Sequence, residues 1–334
     1  MPQSRPKLSG EDRIIARYFR PLASHPAALR LIDDAAALTP SPGNDLVLTV
    51  DAIVGGVHFL PDDPPDAVAK KALRVNLSDL AAKGARPVGF LLVLALPKET
   101  SETWIAGFAR GLAADARTYA CPLLGGDSVR TSGPATISIT AFGTVRKGTM
   151  VHRAGARPGD RIVVSGTIGD SALGLMLHRP GGVDGWTLGR AQKKALLGRY
   201  LLPQPRNAIA EAVRRHASAA MDVSDGLVGD LGKLCAASGV SADIEIERVP
   251  LSPAARQVVA AAPEMIERVL TGGDDYEIVC TVPGKQLVAF RAAAAKARVP
   301  VAEMGVITKG HGPPRFLGAG GKLLLFKTTS FSHF

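Results

Sequence analysis

Apolar and polar positions alternate in the first half of the chain in a way that predicts strands separated by helices. Residues 45–51 place Leu46, Leu48 and Val50 on one face of a strand that ends at Asp51, and residues 136–145 alternate as a half-buried antiparallel strand does. The unbroken apolar run 90–96 predicts a buried strand ended by Pro97. Ser9 and Asp12 resemble a capping box that opens a helix over 11–20, and further helices are predicted over 66–85 and 102–119.

The segment 153–160 is rich in glycine and proline, and it marks the best candidate domain boundary. Beyond this boundary, segments with the two-residue period of a strand alternate with segments that have the 3.6-residue period of a helix. Strands are expected at 161–165, 219–223, 242–246, 277–282, 301–308 and, after a hairpin turn at 318–321, at 323–326. Helices are expected at 171–177, 192–200, 206–215, 225–237, 253–262 and 285–297. We therefore predict an α/β (or α+β) protein with domains at 1–148 and 149–334.

The helix over 66–85 carries a carboxylate where an apolar residue is expected. Helical spacing places Asp79 on the stripe that contains Val68 and Val75, and the opposite side carries Lys70, Lys71, Arg74 and Ser78. A carboxylate that faces the interior costs several kcal/mol unless a positive group meets it. Lysine and arginine are largely absent beside the chain's acidic patches, so we expect divalent cations to supply the positive charge. These patches are Asp33-Asp34, Asp51, Gly125-Gly126-Asp127, 222–225 and Asp274-Asp275.

The segment 221–227 predicts the end of a strand, a turn and the start of a helix whose N-cap is Ser224. Free N–H groups at a helix N-terminus suit a phosphate, and Asp222 and Asp225 could hold the Mg²⁺ that accompanies a polyphosphate. An ordinary capped helix would show the same pattern. Similarly, the glycines before Asp127 and Asp274 let backbone approach a ligand, although a tight turn is the alternative.

The motifs that are missing narrow the chemistry. The chain contains no GxxxxGK[ST] phosphate loop, no GxGxxG after a strand, and no Ser/His/Asp or Cys/His constellation. We therefore expect no catalytic nucleophile or general base. Acidic, glycine-containing loops without such groups indicate phosphoryl transfer by positioning and electrostatics.

The composition argues against several other classes. The net charge is +10, but the basic residues are scattered and aromatic residues make up 5%, so we expect no nucleic-acid partner. The 3 cysteines have no metal or disulfide spacing and are expected to be buried thiols. The N-terminus lacks a signal-peptide pattern and no apolar run is long enough to span a bilayer, so we expect no membrane association and a cytoplasmic location.

Several strings, in their order, resemble those of a known enzyme family. Asn-Leu-Ser-Asp-Leu-Ala-Ala at 76–82 and Asp-Val-Ser-Asp-Gly-Leu at 222–227 are similar to the superfamily that includes aminoimidazole ribonucleotide synthetase. Gly-Val-His-Phe-Leu at 56–60, together with 14–19 and the terminal 333–334, resembles the thiamine-monophosphate kinase family within it.

This resemblance implies two α/β domains, the N-terminal one pairing in a homodimer and the C-terminal one completing the active site. It implies direct, Mg²⁺-assisted transfer of the γ-phosphoryl group of ATP to thiamine monophosphate, with several Mg²⁺ ions. ATP would be bound by Gly126, Asp127, Arg153 and Ser224. Mg²⁺ would be held by Asp34, Thr49, Asp51, Asp79, Asp127, Asp222 and Asp225. The substrate would meet His58, Asp274 and a C-terminal aromatic near Phe326 or Phe331, which we assign to Phe331.

The chain departs from the family pattern at Ile32, Val50 and Asp274, where Gly, Thr and Glu are usual. Two alternatives therefore remain. One is another ATP-using member of the superfamily, an amide-activating synthetase. The other is a non-enzymatic binding protein.

Overall fold

The computed structural model describes residues 10–179 and 186–332. The chain forms two compact units, of which the first comprises 1–76 and 87–144 and the second 77–86 and 145–334. The second unit thus includes the short segment 77–86 from the N-terminal half, a division that the sequence pattern did not suggest. Residues 333–334, which contributed to the family resemblance, lie outside the described residues.

The first unit is built on a four-stranded sheet with the order β1-β4-β2-β3. Its elements are α1 (Gly10–Ile14), β1 (Asn44–Val54), α2 (Pro65–Ala82, which continues into the second unit), β2 (Arg86–Pro97), α3 (Glu102–Thr118), β3 (Leu123–Thr131) and β4 (Thr136–Arg146). After α1 the chain stays helical through a π-helical turn, Ile15–Phe19, and a 3-10 turn, Arg20–Leu22. The sequence did not predict β3, which pairs in parallel with β2.

Helix α2 is confirmed, but the prediction of its exposed face is wrong. The side opposite Asp79 contains Lys71, which is 2% exposed, and Ser78, which is fully buried, whereas Asp79 itself is half-buried. The polar side chains of this face are buried because they have partners. Lys71 Nζ donates to the His58 carbonyl at 2.8 Å, and the Arg74 guanidinium holds both carboxylate oxygens of Asp115 in α3 at 2.5 and 3.0 Å.

The second unit contains a seven-stranded sheet with the order β11-β10-β7-β9-β5-β8-β6. Its strands are β5 (Arg161–Ser165), β6 (Ala219–Val223), β7 (Ser241–Glu245), β8 (Glu277–Val282), β9 (Val301–Thr308), β10 (Arg315–Leu317) and β11 (Leu323–Leu324). Its helices are α4 (Asp170–His178), α5 (Arg190–Leu201), α6 (Ala210–His216), α7 (Leu227–Ser238), α8 (Pro253–Ala261), α9 (Met265–Thr271) and α10 (Leu287–Lys296). Helix α9 was not predicted.

Helices cover both faces of this sheet. Leu231 of α7 packs in one core cluster with Met221 of β6, and Phe290 of α10 packs in another with Ile278 of β8. Strands β6 and β8 are antiparallel neighbours in which Val223 lies opposite Glu277. The loop that leaves β6 therefore lies beside the loop that enters β8.

The cysteine prediction is confirmed, since Cys121, Cys235 and Cys280 are all free and buried. Burial raises the pKa of the Cys121 and Cys280 thiols to about 12 and that of Cys235 to about 11. Thiols with such pKa values are inert near neutral pH. Across the described ranges, the structure contains no helix of the length and apolar character needed to cross a bilayer.

Candidate functional site

Two acidic loops of the second unit are joined by backbone hydrogen bonds. The N–H of Asp274 donates to the carbonyl of Ser224 at 2.8 Å, and the N–H of Tyr276 donates to that of Val223 at 2.8 Å. A Cβ atom added to Gly273 would lie 2.4 Å from the Ser224 oxygen, so the close approach of the two loops requires glycine there. The structure thus brings together Ser224, which the resemblance assigned to ATP, and Asp274, which it assigned to the substrate.

The C-terminal segment also reaches this loop pair. The N–H of Phe331 donates to the carbonyl of Asp225 at 2.9 Å, and the Phe331 side chain is 47% exposed. Phe331 therefore lies beside the loop after β6, with much of its ring open to solvent. Of the two aromatic residues considered, Phe326 instead packs edge-on against Phe316 with ring centroids 5.3 Å apart.

The backbone around Asp274 adopts an unusual conformation. Asp274 and Tyr276 have φ angles of +71° and +51°, in the left-handed region that costs a residue with a side chain roughly 1–2 kcal/mol. The Tyr276 hydroxyl donates to Asp274 Oδ1 at 3.3 Å. A conformation of this cost persists only where surrounding contacts fix it, and such positions cluster at functional sites.

The prediction that Ser224 caps the helix after β6 is wrong. Helix α7 begins at Leu227 with Gly226 as its N-cap. The N–H groups of Ser224 and Asp225 donate instead to Oδ2 of Asp230, at 3.0 and 2.9 Å. Because a buried carboxylate already accepts these two N–H groups, they cannot serve as the phosphate donors that the sequence suggested.

The expectation that lysine and arginine are largely absent beside the acidic patches is wrong at Asp225. Lys233 Nζ lies 2.6 Å from Asp225 Oδ2 and 2.9 Å from Asp230 Oδ1. Burial raises the pKa of Asp230, and the bond and charge of Lys233 act against that rise. Because Lys233 is a full eight residues beyond Asp225, this pairing depends on the turn before α7 and was not visible in the local sequence.

Asp222 and Asp79 share their surroundings with a lysine that sequence reasoning missed. Asp222 is 7% exposed, and its Oδ2 accepts a hydrogen bond from the Ser78 hydroxyl at 2.8 Å. Lys83 Nζ donates to the Ala220 carbonyl at 2.8 Å. Burial lowers the pKa of Lys83, the charge of Arg153 lowers it further, and Asp222 and Asp79 oppose the change. Lys83 is thus within electrostatic range of three predicted ligands.

In the first unit, Thr49 and Asp51 lie two residues apart on β1 and are both half-buried. The sequence predicted that the strand ends at Asp51. Strand β1 instead continues to Val54, so Asp51 lies inside the strand. Its N–H donates to Asn76 Oδ1 at 3.1 Å. The ring of His58 accepts the N–H of Val54 on Nδ1 at 3.0 Å, which fixes the orientation of the imidazole.

Asp34 and Asp127 are exposed carboxylates of the first unit. The N–H of Asp34 donates to Asp33 Oδ1 at 2.8 Å, and Asp127 Oδ1 accepts the N–H of Ser128 at 2.8 Å. Gly126 lies inside β3 and not in a turn, and a Cβ atom added to it would lie 1.9 Å from the Leu92 carbonyl oxygen. The approach of β2 to β3 therefore explains this glycine without a ligand.

Among the residues that the structure describes, no group of three or more His, Cys, Asp or Glu side chains is arranged to hold a metal ion. Within the described ranges, the assigned carboxylates therefore do not form a group of this kind. Such donors bind Mg²⁺ when phosphate oxygens complete the coordination shell.

Comparisons with known proteins agree with the two-part organisation of the chain. Residues 32–145 match the model for AIR synthase related protein, N-terminal domain, and 157–315 match its C-terminal domain. Thiamine-monophosphate kinase of Caulobacter vibrioides is 47% identical over 302 residues, which cover 89% of this chain and 84% of that protein.

Two solved structures are similar in both fold and sequence. The crystal structure of thiamine-monophosphate kinase from Stenotrophomonas maltophilia K279a has a TM-score of 0.82 at 39% identity and covers 94% of this chain and 96% of its own. The structure of AaThiL complexed with AMPPCP and TMP has a TM-score of 0.75 at 31% identity and covers 89% of each chain. The α/β fold predicted from sequence is therefore confirmed.

Proposed function

Because the chain belongs to the thiamine-monophosphate kinase family, we propose that it phosphorylates thiamine monophosphate to thiamine diphosphate with ATP. An oxygen of the substrate's phosphate forms a new bond to the γ-phosphorus of ATP, in line with the bond that breaks to release ADP. The relative AaThiL, which was solved with AMPPCP and TMP, supports this pair of substrates.

One observation carries the proposal: hydrogen bonds connect the loop assigned to the nucleotide to both substrate-assigned residues of the second unit. Asp274 N–H bonds to Ser224 at 2.8 Å, and Phe331 N–H bonds to Asp225 at 2.9 Å. Phosphoryl transfer needs donor and acceptor at one place, since positioning supplies much of the rate. The arrangement favours a kinase over a protein with separate sites.

The proposed chemistry requires no nucleophilic side chain and no general base. The acceptor is a phosphate that is already ionised near neutral pH, so no proton has to be removed from it. The main barrier is the repulsion between two anions, and fixed charges lower it. Among the described groups, Lys83 lies within electrostatic range of Asp79, Asp222 and Arg153, and these two basic side chains can contribute to this effect.

The carboxylates present fit several Mg²⁺ ions whose coordination the substrate phosphates complete. We assign the ions to Asp34, Thr49, Asp51, Asp79, Asp127, Asp222 and Asp225. When bound, Mg²⁺ would offset charge on the phosphate oxygens. The protein's own part is orientation: the Ser78 hydroxyl fixes Asp222, and the Asn76 amide oxygen fixes the backbone of Asp51.

We further propose that the first unit pairs in a homodimer. Large apolar side chains on its sheet point away from the buried side of their strands: Leu48 is 57% exposed, Val50 62%, Val93 41% and Val129 47%. Leu48 and Val50 share one face of β1, and exposed apolar side chains of this kind are typical of a surface that another protein covers. A second copy of the chain is the partner that the family resemblance implies.

The assignment of the carboxylates is tested by Asp222→Asn and Asp79→Asn. Each removes a negative charge with little change of shape, so we expect formation of thiamine diphosphate to fall by about 100-fold or more while the fold survives. The matched control is Asp66→Asn in the same helix as Asp79, where the carboxylate faces Lys70 at 3.3 Å. It should retain wild-type turnover. Wild-type turnover in both test variants would contradict the assignment.

A further inference from the structure

A buried ion cluster lies at the start of β8, directly after the Asp274 loop. The Glu277 side chain is fully buried and accepts hydrogen bonds from Arg199 Nη2 at 2.8 Å, Arg206 Nε at 2.6 Å and the Ser165 hydroxyl at 2.5 Å. A second bond from Arg206 reaches the other oxygen of Glu277. Two guanidinium groups thus neutralise one carboxylate, so the loss of either leaves Glu277 paired.

Arg199 donates one further hydrogen bond, to the loop itself. Its Nη2 also reaches the backbone carbonyl of Asp275 at 3.0 Å. The side chain of Asp275 is fully buried, and its Oδ2 accepts the N–H of Gly169 at 2.8 Å, at the start of α4. Asp275 is therefore held through both its carbonyl and its side chain.

This double attachment acts on the two residues whose backbone is strained. Asp275 lies between Asp274 and Tyr276, which both have positive φ angles. A loop in this conformation relaxes unless neighbouring bonds fix it. Fixing the Asp275 peptide sets the direction in which the Asp274 side chain leaves the backbone, and the Tyr276 hydroxyl then orients its carboxylate at 3.3 Å.

We propose that Arg199 is a positioning residue for the phosphate-acceptor substrate. It holds the Asp275 carbonyl and so keeps Asp274 in the conformation that binds thiamine monophosphate. The proposal rests on the function proposed above, because it takes Asp274 as a substrate contact. Arg199 acts through the loop backbone and needs no contact with the substrate.

The test compares Arg199→Met with Arg206→Met, since each removes one guanidinium from Glu277 and retains an apolar stem. We expect Arg199→Met to raise the KM for thiamine monophosphate by about tenfold, with kcat and the KM for ATP changed by less than about twofold. Arg206→Met should lower the melting temperature by at least as much as Arg199→Met does. It should leave the KM for thiamine monophosphate within about twofold of the wild-type value. Equal KM changes in the two variants would show general destabilisation and overturn the proposal.

A second comparison asks whether Arg199 acts through Asp274. In an Asp274→Ala background the KM effect of Arg199→Met should vanish, because residues in one network are not additive. A full tenfold effect that persists in this background would overturn the proposal.

Amide hydrogen exchange gives a readout that does not depend on turnover. Arg199→Met should speed exchange at the N–H groups of Asp274 and Tyr276 by about tenfold, and Arg206→Met should do so less. If the wild-type protein formed no thiamine diphosphate, the proposed function would fail, while this exchange result would still decide whether Arg199 holds the loop. Unchanged exchange in Arg199→Met would overturn the positioning role even in an active kinase.

Discussion

At the scale of single residues, Asp275 shows how a carboxyl group is kept inside a protein. Burial raises its pKa well above the usual value, the N–H of Gly169 and the charge of Arg199 oppose this, and Asp170 and Glu277 add to it. The group therefore favours its protonated form more strongly in the folded chain than in the unfolded chain. Its role is structural, since it holds the loop between Asp274 and Tyr276.

This raised pKa has a defined effect on stability. The unfolded carboxyl titrates near pH ~3.9, so between that pH and the higher folded pKa the folded state holds more protons. The free energy of unfolding then falls as pH rises through this window. Asp275→Asn has the shape of the protonated form and does not titrate, so its stability relative to wild type should increase from pH 4 to pH 7.

Urea unfolding at several pH values measures this difference. Asp62→Asn, at an exposed aspartate before α2, supplies the baseline for removing a carboxylate. A relative stability of Asp275→Asn that stays constant, or that falls as pH rises, would contradict the proposed burial of the acid.

Sequence reasoning found many acidic residues of the candidate site but not their partners. Asp222 and Asp274 were recognisable because they adjoin turn residues at the ends of apolar runs. Lys83 and Lys233 were not recognisable. Lys83 meets Asp222, which is far away in the sequence, and Lys233 meets Asp225 only because of the turn before α7. Local periodicity reports which positions are apolar, and it carries no information about which polar groups will meet.

At the scale of elements, short strands were the easiest to predict. The bounds of β5, β6, β8 and β9 agree with the expected ranges, because each is a brief apolar run between turn residues. Strand β3 was missed because its two glycines and aspartate resemble a turn. Helix α2 was found, but the side that faces solvent was not, since salt bridges and hydrogen bonds allow its polar side chains to be buried.

The exposed apolar face of β1 supports a test of the proposed homodimer. Leu48→Lys places a charge on that face, and a buried unpaired charge costs several kcal/mol. We therefore expect the dimer dissociation constant to rise by about tenfold or more, as measured by sedimentation over a range of protein concentrations.

The matched control is Val288→Lys, at a valine of α10 that is 78% exposed and lies in the other unit. It should leave the association state unchanged. A wild-type protein that is monomeric at micromolar concentration, or a Leu48→Lys variant that dimerises as tightly as wild type, would rule out this sheet face as the interface.

At the scale of the whole molecule, the net charge of +10 fits substrates that are anions. ATP and thiamine monophosphate both carry phosphate, and a positive protein raises the local concentration of such ligands. The carboxylates that we assign to Mg²⁺ are themselves negative, and metal ions that accompany the phosphates would offset their charge. The net charge is thus consistent with the proposed small substrates.

The most direct measurement of the central claim follows the transferred phosphoryl group. The purified protein is incubated with Mg²⁺, thiamine monophosphate and ATP labelled at the γ-phosphate, and the products are separated by chromatography. The account predicts thiamine diphosphate labelled in its terminal phosphate, formed only when all three components are present. Label that appears solely in inorganic phosphate, or an absence of thiamine diphosphate, would contradict it.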